Sequence, residues 1–184
     1  MAEFCVNESG DITQGTVVSG VNWGYEEDIQ PLSIVLSNAC DLEHGKADFL
    51  IIAELVDAKE IITSSKEFKS YLPEKEGILK KKQSNSIKDL LERYIHNKSI
   101  NRYYFIEPGN VFKDILPLLL VDFQHIQSIP IESSKELEVI CELPSPFREQ
   151  MMLQFSGYTS RVPVCRSTNI EEIIEKLVEP LKLI

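Results

Sequence analysis

The spacing of apolar residues changes along this chain, and the change limits the folds that the chain can adopt. Short apolar runs of strand length, rich in β-branched and aromatic residues, occupy about 15–55 and return at 102–131. Between them, over 57–101, the apolar residues recur at helical spacing, and two further helical patterns follow over 145–184. The sequence therefore predicts an α+β protein whose β core is interrupted by a helical insertion and followed by two C-terminal helices.

About five strands are expected in the β core. They are predicted at residues 15–23, 32–37, 48–55, 102–107 and 118–131, the last as two successive strands or as one long bent strand. Most of these runs are short, and closing a sheet on itself removes its exposed edges. The pattern favours a small five-stranded closed barrel.

Local signals predict where the helices begin. Ser86 with Asp89 has the spacing of a capping box in the insertion, and the lysines at 80–82 ahead of it suggest a mobile exposed loop. Ser145 and Pro146 suit the start of the first C-terminal helix, and Thr168 suits the start of the second.

Length and charge restrict the class of protein. A chain of 184 residues with 43% hydrophobic and 26% charged residues is typical of one globular domain, here 1–184. Its net charge of −10 repels phosphate backbones and anionic lipid, so any contact with nucleic acid has to be local. Neither a membrane span nor a signal peptide is expected, which predicts a cytoplasmic protein that does not bind membranes.

The four cysteines do not indicate a metal centre. Cys5, Cys40, Cys141 and Cys165 lie far apart and form no C-x-x-C pair, which argues against a zinc ribbon or a redox disulfide. Without an export signal they are interpreted as thiols, and no cofactor is predicted.

The densest group of functional side chains follows the second predicted strand. Asn38, Cys40, Asp41 and His44 lie where that strand gives way to a turn. Cys40 with His44 is a candidate nucleophile pair, although a neighbouring carboxylate raises a thiol pKa and so opposes activation. The structural alternative is a small buried Cys40 in a turn that the side chains of Asn38 and Asp41 stabilise.

Arginines and aromatic residues supply candidate binding groups. Arg148, Arg161 and Arg166 are candidates for a phosphate or carboxylate site if they converge, and surface ion pairs are the alternative. Arg102 with its two following tyrosines has the composition of a base-stacking surface or of core packing. His125 is equally compatible with solvent and with a cleft.

Three segments together resemble the barrel strands of the PemK/MazF-like toxins. They begin Gly-Thr-Val-Val at Gly15, Gln-Pro-Leu-Ser-Ile-Val-Leu-Ser at Gln30, and Leu-Leu-Val-Asp-Phe-Gln-His at Leu119. The resemblance implies a Src-homology-3-like barrel, usually dimeric, that cleaves RNA without a metal. Gln30 stands where that family has its catalytic arginine, and residues 54–57 stand where its catalytic threonine or serine is expected.

Three hypotheses about function follow. The first is a binding module with the family's barrel, acting on a protein partner or RNA in a bacterial or phage toxin-antitoxin or defence setting. The second is an active metal-independent endoribonuclease in which Asp41, His44 and Arg161 serve as base, acid and phosphate clamp. The third is a protein whose reactive thiol is Cys40.

Overall fold

The computed structural model describes residues 2–26, 30–73, 79–98 and 102–160. In this part of the chain the strands are β1 (Thr16–Ser19), β2 (Ser33–Val35), β3 (Phe49–Asp57), β4 (Tyr103–Ile106), β5 (Leu119–Pro130) and β6 (Glu138–Glu142). The α-helices are α1 (Ala39–Glu43), α2 (Ala58–Ser64), α3 (Lys66–Tyr71), α4 (Lys81–Ile95), α5 (Gly109–Phe112) and α6 (Phe147–Thr159). A 3-10 helix over Ile131–Glu136 connects β5 to β6. None of the helices in these ranges is long and apolar enough to cross a bilayer.

The strands form one curled antiparallel sheet in the order β4-β5-β3-β2-β1-β6. The predicted α+β class is confirmed, but the closed five-stranded barrel is wrong, because β4 and β6 are the two edges of a six-stranded half-barrel. Strand β6 was not predicted from the sequence. Only three apolar residues lie between Glu138 and Glu142, so the run is too short to give a strand signal.

The N-terminal segment connects the two edges of the sheet. Phe4 N–H donates to the carbonyl of Glu107 beside β4 (3.2 Å), and Glu107 N–H donates to the carbonyl of Ala2 (2.8 Å). On the other edge, Cys5 and Glu142 exchange two backbone hydrogen bonds of 2.9 and 3.0 Å. Ala2 and Phe4 are buried in the main core. The segment thus pairs with one residue at each edge, although the edge strands do not pair with each other.

The segment between β3 and β4 is helical and has its own small core. The apolar faces of α2 and α4 pack on β4 and β5 through a buried cluster of Ala58, Ile62, Leu90, Tyr94, Phe105 and Leu120. The predicted capping box at Ser86 is wrong, because α4 already begins at Lys81 and Gln83 Oε1 accepts from Lys80 N–H (3.0 Å). Lys81 and Lys82 are therefore exposed helical residues and do not belong to a loop.

Helix α6 covers one end of the curled sheet. It begins at Phe147, one residue after Pro146, and the predicted cap from the Ser145 side chain is not made. Met151 is fully buried and Phe155 packs against Phe123 of β5, with ring centroids 5.3 Å apart. The second predicted C-terminal helix, from Thr168, lies outside the described residues.

Candidate active site

The polar turn after β2 is built mainly by backbone contacts. Asn38 caps α1, where its Oδ1 accepts from Cys40 N–H (2.9 Å), and the buried Ser37 hydroxyl accepts from Ile51 N–H (2.7 Å). Cys40, Asp41 and His44 are exposed, and no hydrogen bond or ion pair joins their side chains in the described structure. The structure thus places Cys40 and Asp41 on α1 and His44 at its C-terminal cap, without a contact among the three side chains.

The arginine candidates are only partly described. Arg148 lies in the first turn of α6 and pairs with Glu149, with Nε 2.9 Å from Oε1. It lines an open cavity of about 680 Å³ together with Leu42 and Glu43 of α1, whereas Cys40, Asp41 and His44 do not line that cavity. Arg161 and Arg166 lie outside the described residues. No group of three or more metal-ligating side chains with suitable geometry occurs in residues 2–160 as far as these are described.

A bulge between β3 and β5 creates a different polar site. Ala53 faces Ile126 across the two strands, but the next residue, Glu54, faces Asp122. Residues 123–125 of β5 therefore have no partners on β3, as expected for a bulged strand. Phe123 points into the core, while His125 lies on the exposed side and returns over Glu54. The bulge is what brings an imidazole onto a carboxylate of the neighbouring strand.

Glu54 holds the imidazole of His125. Nδ1 of His125 lies 2.6 Å from Glu54 Oε2, and the Tyr25 hydroxyl donates to the same oxygen at 3.1 Å. The Glu54 side chain is only 9% exposed and that of His125 is 51% exposed. Burial, followed by the charge of Glu54, raises the pKa of Tyr25, so this hydroxyl remains protonated and a donor. The carboxylate is fixed, and the imidazole that it orients is accessible.

Arg102 and Asp122 form the second half of the site. Arg102 Nε and Nη2 donate to the two Asp122 carboxylate oxygens at 2.8 and 2.6 Å, and Gln124 N–H donates to Oδ1 at 3.0 Å. Asp122 Oδ2 lies 3.9 Å from His125 Nδ1. The hydrogen bonds that Arg102 donates to Asp122 raise the pKa of Arg102 above its ordinary value, which keeps the guanidinium charged. We refer to Tyr25, Glu54, Arg102, Asp122 and His125 together as the bulge site.

Most of the bulge site was missed by sequence reasoning, although the sequence contains a signal. Glu54 and Asp122 are single carboxylates inside apolar strand runs, and both are buried. A charged residue is rarely buried unless a partner compensates it, so each position implied an unseen partner. The identity of that partner depends on strand register and on the bulge, which local sequence does not specify.

Comparison with known proteins gives no assignment for this chain. No family model matches it, and no curated protein matches it either.

Proposed function

We propose that this protein is a metal-independent endoribonuclease of PemK/MazF-like architecture in which His125 is the general base. The observation that carries the proposal is the 2.6 Å contact between Nδ1 of the half-exposed His125 and the buried Glu54 carboxylate. A carboxylate at Nδ1 favours the tautomer that has its proton on Nδ1, and it leaves Nε2 as the basic nitrogen. Glu54 and Tyr25 are positioning residues in this scheme.

The chemistry requires one proton acceptor beside a ribose. Nε2 of His125 takes the proton of a 2′-hydroxyl, and the 2′-oxygen forms a bond to the adjacent phosphorus as the bond from phosphorus to the 5′-oxygen breaks. The leaving 5′-oxygen takes a proton from water, and the imidazolium returns its proton to solvent. The products are a 2′,3′-cyclic phosphate and a free 5′-hydroxyl. Glu54 stabilises the imidazolium that forms in the first step.

Local charge supports an RNA substrate despite the acidic chain as a whole. Residues 57–101 carry ten Lys and Arg against seven Asp and Glu, while the remainder carries nine against twenty-two. This basic insertion lies beside the bulge site, because Tyr94 of α4 packs against Tyr103, with ring centroids 6.3 Å apart. Phosphates along the insertion would be attracted where the rest of the surface repels them.

The resemblance to the PemK/MazF-like toxins also supports this proposal. Glu54 stands in the segment where the family's catalytic threonine or serine is expected, and Tyr25 precedes Gln30, which stands where its arginine is expected. We propose that the position of the cleavage centre is kept while its chemistry is supplied by an imidazole. We also propose that the protein acts in the cytoplasm.

The test is a cleavage assay on unstructured RNA in the presence of EDTA. We expect wild type to release cyclic-phosphate ends, and His125→Ala to lower the rate by about 10²- to 10⁴-fold, the usual contribution of a general base. His44→Ala is the matched control, because this imidazole is exposed and has no side-chain partner in the described structure. Unchanged cleavage by His125→Ala, or a wild-type activity that EDTA abolishes, contradicts the proposal.

A second candidate function is a binding module that does not cleave. It is favoured by one observation: two of the Arg102 nitrogens are bound to Asp122, so this cation is not free to stabilise a phosphate in a transition state. In this case we propose a protein or RNA partner within a toxin-antitoxin or phage-defence system, with the protein acting as a homodimer. RNA bound but not cleaved by wild type, with a dimer mass by light scattering, supports it; rapid cleavage excludes it.

A further inference from the structure

Three planar groups are in contact beside the bulge site. The ring of Tyr94 packs against the ring of Tyr103 at an angle of 37°, and the Arg102 guanidinium lies over the Tyr103 ring, with Cζ 4.7 Å from its centroid. Tyr104 does not take part, because it points into the core, where its hydroxyl donates to the carbonyl of Phe147 (3.1 Å). The tyrosine pair in the sequence thus divides into one core residue and one stacking residue.

Asp122 fixes the orientation of the guanidinium plane. Bidentate hydrogen bonds occupy one edge of Arg102 and neutralise its charge with a carboxylate that is 2% exposed. The Cζ atom of Arg102 lies over the Tyr103 ring, and the Arg102 side chain remains 37% exposed. A guanidinium held in this way offers a preorganised planar surface, whereas its capacity to bind phosphate is largely used.

We infer that the open face of Arg102 binds one unpaired nucleobase of a single-stranded RNA. This inference rests on the proposed ribonuclease function and specifies its substrate: a base stacks on the guanidinium while the neighbouring ribose reaches His125. Asp122 lies between the guanidinium of Arg102 and the imidazole of His125, since it binds Arg102 directly and its Oδ2 is 3.9 Å from His125 Nδ1. Bases in a duplex are already stacked and cannot occupy this face, so the site selects single strands.

The inference is tested by RNA binding in the His125→Ala background, in which the RNA stays intact. Fluorescence anisotropy with a labelled, unstructured ten-nucleotide RNA compares this parent with Arg102→Lys, which keeps the charge beside Asp122 and removes the planar face. We expect binding to weaken by about 5- to 100-fold, as when one base loses its stacking partner. Lys135→Arg is the control, because it makes the reverse exchange at an exposed residue of the 3-10 helix, outside the bulge site, and should leave the affinity unchanged.

A second experiment uses the same two proteins and changes the RNA. Single abasic positions are moved along the ten-mer, and at one position we expect the parent to lose affinity while Arg102→Lys loses none. Equal binding by the parent and Arg102→Lys, equal affinity of the parent for duplex and single strand, or an absence of RNA binding overturns the inference. If the Arg102 effect holds and wild type does not cleave RNA, the stacking site stands and only the ribonuclease proposal fails.

Discussion

At the scale of single residues, burial separates the cysteines into chemically different thiols. Cys141 is completely buried in the main core, and burial raises its pKa to about 12. Cys5 is partly buried, and its pKa is raised by burial and then by the charge of Glu142, whose carboxylate lies 3.6 Å from the Cys5 sulfur. Cys40 is exposed at the surface of α1. Of these three thiols, only Cys40 is accessible enough for the reactive-thiol hypothesis.

We predict that iodoacetamide at pH 8 modifies Cys40 first, Cys5 more slowly and Cys141 not at all in the folded protein. The thiolate is the nucleophile, and a thiol with a pKa near 12 has only about 10⁻⁴ of its population ionised at pH 8. Peptide mass spectrometry after timed quenching gives the rate at each site. The same reaction in concentrated urea is the control, because every cysteine should react in the unfolded protein. Modification of Cys141 as fast as Cys40 in the folded state contradicts the burial described here.

At the scale of elements, the helical insertion depends on a few apolar side chains. Leu90 and Tyr94 are one turn apart on α4, and both are buried against β4 and β5. Arg93 of the same helix pairs with Glu67 of α3, but this pair is exposed at the surface and contributes little. Burial of the α4 face, more than the ion pair, attaches the basic insertion to the sheet.

We predict that Leu90→Ala lowers the free energy of unfolding by about 2–4 kcal/mol, because it leaves a cavity at a fully buried position. Lys88→Ala on the exposed side of the same helix should change it by less than about 0.5 kcal/mol. Urea denaturation followed by circular dichroism measures both. If Leu90→Ala lowers the free energy of unfolding as little as Lys88→Ala does, α4 does not pack on the sheet through Leu90.

The elements differ in how far the sequence could predict them. β3 and β5 carry long apolar runs and were located, whereas β6 has three apolar residues between two glutamates and gave no signal. Gln83, not Ser86, caps the start of α4. Its side-chain oxygen accepts a hydrogen bond from Lys80 N–H, three residues earlier in the chain. For the site, the sequence indicated that Glu54 and Asp122 are charged residues within apolar strands. Their proximity to His125 could not be predicted, because it depends on a bulge that forms only in the assembled sheet.

At the scale of the whole molecule, the segment before β1 is part of the core. Phe4 is 4% exposed and packs in the main cluster, while its backbone and that of its neighbours reach both edges of the sheet. We predict that Phe4→Ala lowers the free energy of unfolding by about 3–4 kcal/mol, as expected for a buried phenylalanine. Val6→Ala, at a residue that is 53% exposed, should lower the free energy of unfolding by less than about 0.5 kcal/mol. Similar midpoints for the two variants in thermal unfolding would exclude a structural role for the segment.

The N-terminal segment also has a consequence for the order in which the protein can assemble. Its residues leave the ribosome before every strand, yet their hydrogen-bond partners, Glu107 and Glu142, are synthesised more than a hundred residues later. Residues 2–5 therefore cannot complete these hydrogen bonds until the chain has been made as far as residue 142. Until then the backbone groups of Glu107 and Glu142 lack these partners, and unpaired groups at a sheet edge can pair with another chain. A segment of four residues thus links the two margins of the sheet across most of the described sequence.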